Sequence, residues 1–205
     1  MRRLSKGLVT VRGTIWKFVV LALLAVPAPA TARETYVAFA RRLTTEVQEG
    51  TRFRADLEAV IAMKVNAYRR GQGAAALKTS SGLLMAARAQ AMDLALHDDM
   101  GHRASTGQNF DSRMRALRGG ELYLPSMGEN AARERSKGVT DAGKAANLVQ
   151  QWIKSSGHRR NMVSRSFVAV ATGVVQKGNH IYAVQIFVGP EVKSNAKRAG
   201  GVSVY

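Results

Sequence analysis

A chain of 205 residues with 46% hydrophobic content can bury one real core and has no room for two large domains. Four prolines and no low-complexity tract argue against disorder over most of its length. The absence of cysteine excludes disulfides, thiol catalysis and cysteine-held metal, so a small exported domain must here hold together by packing alone.

The first 32 residues are read as a secretory leader. Arg2, Arg3, Lys6, Arg12 and Lys17 make a basic start, Phe18 to Val26 is apolar, and Pro27 to Ala32 ends in small residues. Cleavage is expected after Ala32. The apolar run is nine residues, against roughly 20 needed to span a bilayer, so the processed chain is not expected to be transmembrane. Taking five positive charges and no negative ones from the net +17 leaves +12. A charge of that size raises nucleic acid as a partner. The basic residues are scattered and not set in a stripe with interleaved aromatics, and exported protein meets little nucleic acid; none is expected. Attraction to anionic lipid or cell-wall polymer uses the charge better, and solvation of helix faces accounts for it equally well.

Residues 33–52 read as a helical lead-in, with Tyr36, Val37, Phe39, Ala40 and Leu43 apolar, loosely attached to a domain over 53–190. Phe53, Leu57, Val60, Ile61, Val65 and Tyr68 recur at helical steps and stop at Gly71-Gln72-Gly73. Asn66 and Arg69 share one edge of its last turns; for such residues a solvated helix end is the usual outcome. Thr79, Ser80 and Ser81 offer N-caps for an alanine-rich helix from Leu83 to Ala95. Gln108 to Leu117 is a shorter helix, and Met127 to Ala132 is extended. Thr140 or Asp141 caps a helix whose inner face is Ala142, Ala145, Ala146, Val149, Trp152 and Ile153. Ser155-Ser156-Gly157 breaks it, leaving His158 in a turn. Phe167 to Val175 and His180 to Val188, joined through Gly178-Asn179, predict an antiparallel hairpin. Helices followed by strands give an α+β arrangement with a small antiparallel sheet. The basic tail over 191–205 is expected to be poorly ordered.

Four groups carry candidate chemistry: His102, Glu129, Ser155 and His158. Two imidazoles and a carboxylate suit zinc or another divalent cation by ligand type, although the histidines are far apart in the chain. The alternative is that each imidazole serves its own turn. A glycine precedes His102, Glu129 and His158 and would open backbone angles that aim the next side chain. Glu129 could act as general base or third ligand, or pin a histidine. Ser155 is a poor nucleophile candidate, with no Gly-x-Ser-x-Gly around it.

In order, Asn66-x-x-Arg69, Leu77, the helix from Leu83 to Ala95, Gly101-His102, Gly128-Glu129-Asn130, Trp152-x-x-Ser155-x-Gly157-His158-Arg159-x-Asn161 and Tyr182-Ala183-Val184-Gln185-Ile186-Phe187 resemble the CAP superfamily, the cysteine-rich secretory, antigen 5 and pathogenesis-related class 1 proteins. The likeness is to the short bacterial members without cysteine. It implies an α-β-α sandwich around a small central antiparallel sheet. It also implies a cleft with two histidines, matched by His102 and His158, that bind divalent metal in several members. Glu129 matches the first acidic residue of that cleft. The second normally follows the Trp by three, where this chain has Ser155. Asn66, Arg69, Asn130, Trp152, Asn161 and Gln185 fall at supporting positions. The expectation is a secreted, periplasmic or cell-envelope binding module, with cell-wall polymer, anionic lipid or an extracellular protein as partner. Two alternatives stay open: a metal-assisted hydrolase using Glu129 as base, and a lipid-binding protein.

Overall fold

The structure, a computed structural model, describes residues 34–46, 48–120 and 125–191, and the backbone of 202–204. The expected leader and cleavage site lie outside the described residues. Among those described, no helix is long and apolar enough to cross a membrane.

The described residues form six helices and six strands. The helices are α1 (Tyr36–Thr45), α2 (Ala55–Gly71), α3 (Leu84–His97), α4 (Phe110–Leu117), α5 (Asp141–Lys154) and α6 (Ser156–Val163). The strands are β1 (Thr51–Phe53), β2 (Lys78–Thr79), β3 (Met127–Glu134), β4 (Ala169–Lys177), β5 (His180–Val188) and β6 (Val202–Val204). The sheet runs β1-β4-β5-β3-β6, with β2 also on β4. Its body, β1, β4, β5 and β3, is antiparallel; the two short pieces β2 and β6 pair in parallel.

The expected hairpin is β4–β5. Lys177 faces His180 across a two-residue loop, in which Gly178 takes φ +57°, a conformation that costs glycine little. Side chains on a strand alternate between faces, and here both faces are covered. Val184, Ile186 and Val188 of β5 and Met127 and Ala131 of β3 pack with α1, α3 and α4. Ile181, Ala183 and Phe187 of β5 and Ala132 of β3 pack with α2, α5 and α6. The result is the α-β-α sandwich expected from the sequence.

The lead-in is helical but not loosely attached. Tyr36, Phe39, Ala40 and Leu43 are buried in the first of these cores, and the Thr35 hydroxyl caps α1 by accepting from Ala38 N at 3.2 Å. Their spacing is a complete apolar stripe, and that stripe is buried against α3. Neither are Thr79 to Ser81 the caps of α3. Lys78 N and Ser80 N bond the carbonyls of Val168 and Val170 on the sheet side, and a single 3-10 turn over Ser81–Leu83 leads into the helix without a side-chain cap. α3 lies directly on the sheet at Gly173, where a β-carbon would stand 2.3 Å from the backbone of Ala87. Part of the tail is also ordered: Val202–Val204 pairs with Met127–Glu129, while 192–201 and Tyr205 lie outside the described residues.

Candidate functional site

Strand β3 organises the site, because its alternation sends Glu129 to one helical layer and Asn130 to the other. Glu129 is fully buried. Above it, α4 carries Phe110, Arg113 and Met114 on one buried stripe, so Arg113 enters the core with its charge. Its Nη2 donates to both carboxylate oxygens of Glu129, at 2.8 and 2.9 Å, and to the carbonyl of His102 at 3.1 Å. Burial opposes the Arg113 cation most strongly, but Glu129 and the Tyr36 phenol together outweigh it and the guanidinium is held above its ordinary range. Tyr36 of α1 is buried beside it, without a hydrogen bond of ordinary geometry to its hydroxyl. Burial pushes the Tyr36 phenol up, with Arg113 partly countering.

His102 lies in the loop between α3 and α4 and is half-buried. Its Nδ1 is 3.0 Å from Glu129 Oε1. A carboxylate paired with arginine accepts only, so Nδ1 is the donor in this contact. Glu129 therefore sets the aim of His102.

On the other face, Asn130 Nδ2 donates to the carbonyl of His158 at 3.1 Å. Asn161 Nδ2 donates to Asn130 Oδ1 at 3.0 Å and to the Glu129 carbonyl at 3.3 Å. Asn130 pairs in register with Gln185, and Gln185 with Thr172, whose hydroxyl accepts from Gln185 Nε2 at 3.2 Å. A buried polar row thus crosses three strands beneath α6. Trp152 is fully buried against the same layer.

His158 does not sit in a turn. It lies in the first turn of α6, and Ser155 is the N-cap of that helix, its Oγ accepting from His158 N at 3.5 Å. A helix follows because Ser155 supplies the acceptor that exposed N-terminal amides require. This gives Ser155 a structural task. Gly128 and Gly157 are not in the left-handed region; at Gly128 a β-carbon would come within 3.0 Å of Asn161 Oδ1 and 3.1 Å of Phe167. Space, not backbone angle, calls for glycine there.

Asn66 and Arg69 are not a solvated end. Asn66 exchanges two hydrogen bonds with the backbone of Leu77, at 2.8 and 3.0 Å. Arg69 is 1% exposed and donates to the carbonyls of Ala75, Met162 and Ser164. Both brace the scaffold away from the histidines. The structure thus joins His102 to Glu129 directly, and His158 to the same stretch of β3 through Asn130. Sequence reasoning missed Arg113. The available signal was its place between Phe110 and Met114, a charge on the apolar stripe of a short helix.

Residues 63–188 match the model of the family described as "CAP: Cysteine-rich secretory protein family". The chain belongs to this family. A curated relative is "Uncharacterized protein YkwD" of Bacillus subtilis, 26% identical over 153 residues. That match takes in 74% of this chain and 52% of the relative, so the CAP chain spans about half of the relative's length. Among solved structures, an extracellular protein containing a SCP domain from Bacillus anthracis superposes with TM-score 0.53 at 21% identity, covering 66% of this chain and 41% of that one. An outer surface protein from Borrelia burgdorferi gives TM-score 0.56 at 13% identity, covering 68% and 98%. At these identities the structural likeness establishes the fold.

Proposed function

We propose that this CAP domain is an exported binding module of the cell envelope or extracellular space, whose candidate binding residues are His102, held by Glu129, and His158. The observation that carries this reading is the double engagement of Glu129. With both oxygens on Arg113 and one also on His102, the carboxylate is neither a free general base nor a third metal ligand. It acts as the group that orients an imidazole, as carboxylates do behind metal-bound histidines. Two of the structural neighbours are described as an extracellular protein and an outer surface protein, which supports the location.

The donor set fits a divalent ion only in part. The candidate donors are the imidazoles of His102 and His158, both half-buried. Among the described residues, however, no group of three or more His, Asp or Glu is placed to hold a metal. Such an ion would rest on two imidazoles, with its remaining positions open to water or to oxygen donors of a ligand. Its chemistry would be to bridge the domain to that ligand. Cell-wall polymer, anionic lipid and an extracellular protein are the partner classes in view.

Zinc titration by calorimetry on residues 33–205 tests the cleft, with His102→Ala and His158→Ala alongside. Saturable heat in the wild type that both variants lose supports the reading; identical heats from all three remove the metal from it. Incubation with peptidoglycan, casein and ester substrates tests the binding assignment. Turnover by the wild type that disappears in folded His102→Ala would overturn it in favour of a hydrolase.

A further inference from the structure

Arg69 has more donors than the fold uses. Its Nε bonds the Ala75 carbonyl at 2.7 Å, and its Nη1 bonds those of Met162 and Ser164 at 2.6 and 3.0 Å. A guanidinium carries five N–H groups, and Nη2 is left without a protein acceptor among the described residues. All three partners are neutral carbonyls, so this buried cation faces no compensating carboxylate. Burial accordingly lowers its pKa. A buried charge without a counter-charge is costly.

The same side chain lines a pocket of about 560 Å³ between the end of α2, the segment 73–78 and the segment 164–168. Lys78 and Arg165 line it too, together with Ala76, Phe167 and Val168, and no carboxylate is among the described lining residues. Arg165 is anchored at the rim, its Nη2 donating to the Gly73 carbonyl at 3.3 Å. Val168, 45% exposed, adds apolar surface at the mouth. The volume is in the range of a small-molecule site, roughly 300–1,000 Å³. Three cations suit a group with several acceptor oxygens and more than one negative charge, and arginine forks match that geometry.

We infer that this pocket, at the C-terminal end of α6 and with neither His102 nor His158 among its described lining residues, binds a phosphate group borne by a small organic ester. The buried Arg69 supplies the fixed donor, Lys78 and Arg165 close on the phosphoryl oxygens from the rim, and Phe167 and Val168 meet the organic part. A free phosphomonoester and a phospholipid headgroup offer the same chemistry, and the experiment separates them.

Residues 33–205 are titrated with inorganic phosphate and with glycerol phosphate, followed by amide-resolved NMR at about 0.15 M salt, where long-range attraction between exposed charges is largely screened. Saturable shifts are expected at Gly73, Ala75, Lys78 and Phe167. The double variant Lys78→Gln/Arg165→Gln keeps Arg69 and its carbonyl bonds, and should weaken binding about tenfold or more. Lys137→Gln/Lys154→Gln removes the same charge elsewhere and should leave the affinity unchanged, as should His102→Ala. Vesicles of phosphatidylglycerol, with phosphatidylcholine as control, form the other arm. Variant-sensitive binding to the vesicles without binding of glycerol phosphate assigns the site to a headgroup. No saturable shift in either arm, or equal weakening by the two double variants, overturns the proposal.

Discussion

Replacing Arg113 by methionine removes the counter-charge of Glu129 while keeping an unbranched apolar side chain in the same space. Both residues are 0% exposed, and Arg113 Nη2 holds both carboxylate oxygens at 2.8 and 2.9 Å. Breaking one partner of such a pair leaves a buried charge, at a cost of about 3–5 kcal/mol. For a domain of this size each kcal/mol corresponds to roughly 2–4 °C in Tm, so Arg113→Met should lower Tm by about 6–20 °C. Arg113→Met/Glu129→Leu removes the unpaired charge as well, and should recover most of the loss, since apolar replacement of a whole buried pair is often near neutral. Calorimetric or denaturant unfolding of the four proteins gives the coupling directly. Zinc affinity should behave differently: the double variant regains stability, but His102 has lost the carboxylate that holds its Nδ1, so binding stays weak. A fall of less than about 1 kcal/mol in Arg113→Met, the size of an ordinary exposed pair, would refute the account. So would a double variant less stable than either single one.

Other expectations follow from particular contacts. Gly173→Ala drives a β-carbon to 2.3 Å from the Ala87 backbone and should cost at least the 1–3 kcal/mol typical, approximately, of overpacking, seen as a lower urea midpoint. Asn161→Ala removes the bonds to Asn130 and to the Glu129 carbonyl; it should destabilise by about 1–3 kcal/mol by leaving buried groups unpaired and weaken zinc binding through His158. Acid stability should fall slightly between about pH 4 and pH 2. The Arg54 guanidinium beside Asp56 holds that carboxyl down to about 2, from an ordinary 3.8. A depressed carboxylate stabilises above its unfolded pKa, and that contribution disappears as pH falls through the folded value. Asp56 is 62% exposed, so the effect should stay under about 1 kcal/mol, and Arg54→Gln should flatten this part of an acid unfolding curve.

The sandwich was legible because its elements carry local signals that agree with the final packing. The β4–β5 hairpin has Gly178-Asn179 at its turn, and α5 has Thr140 as cap, its hydroxyl accepting from Gly143 N at 3.2 Å. Where a segment answered to a distant partner, local reading failed. Thr79 to Ser81 look like caps until β4 claims the backbone of Lys78 and Ser80. The stripe of α1 was visible, but nothing nearby in sequence says that it packs on α3. For the site, residue types pointed to His102, Glu129 and His158, yet the function of each depends on what it touches. His158 was placed in a turn because Ser155-Ser156-Gly157 suggests a break; the same Ser155 both ends α5 and begins α6.

Arg113 explains why Glu129 reads differently from within the fold than from the chain. A lone Glu beside an imidazole is a candidate base because nothing in the sequence says whether its charge is already answered. Here α4 answers it from within the core, and the demand is mutual, since neither group could be buried alone. The pair leaves His102 as the consequence: a ring held through Nδ1 on a carboxylate whose charge is already matched. At the C-terminal end of α6 the balance is reversed, because Arg69 is buried on carbonyls with no acid to meet it. One buried arginine has its charge matched by the chain and positions a histidine; the other keeps an unmatched charge, and an anionic ligand is what would complete it.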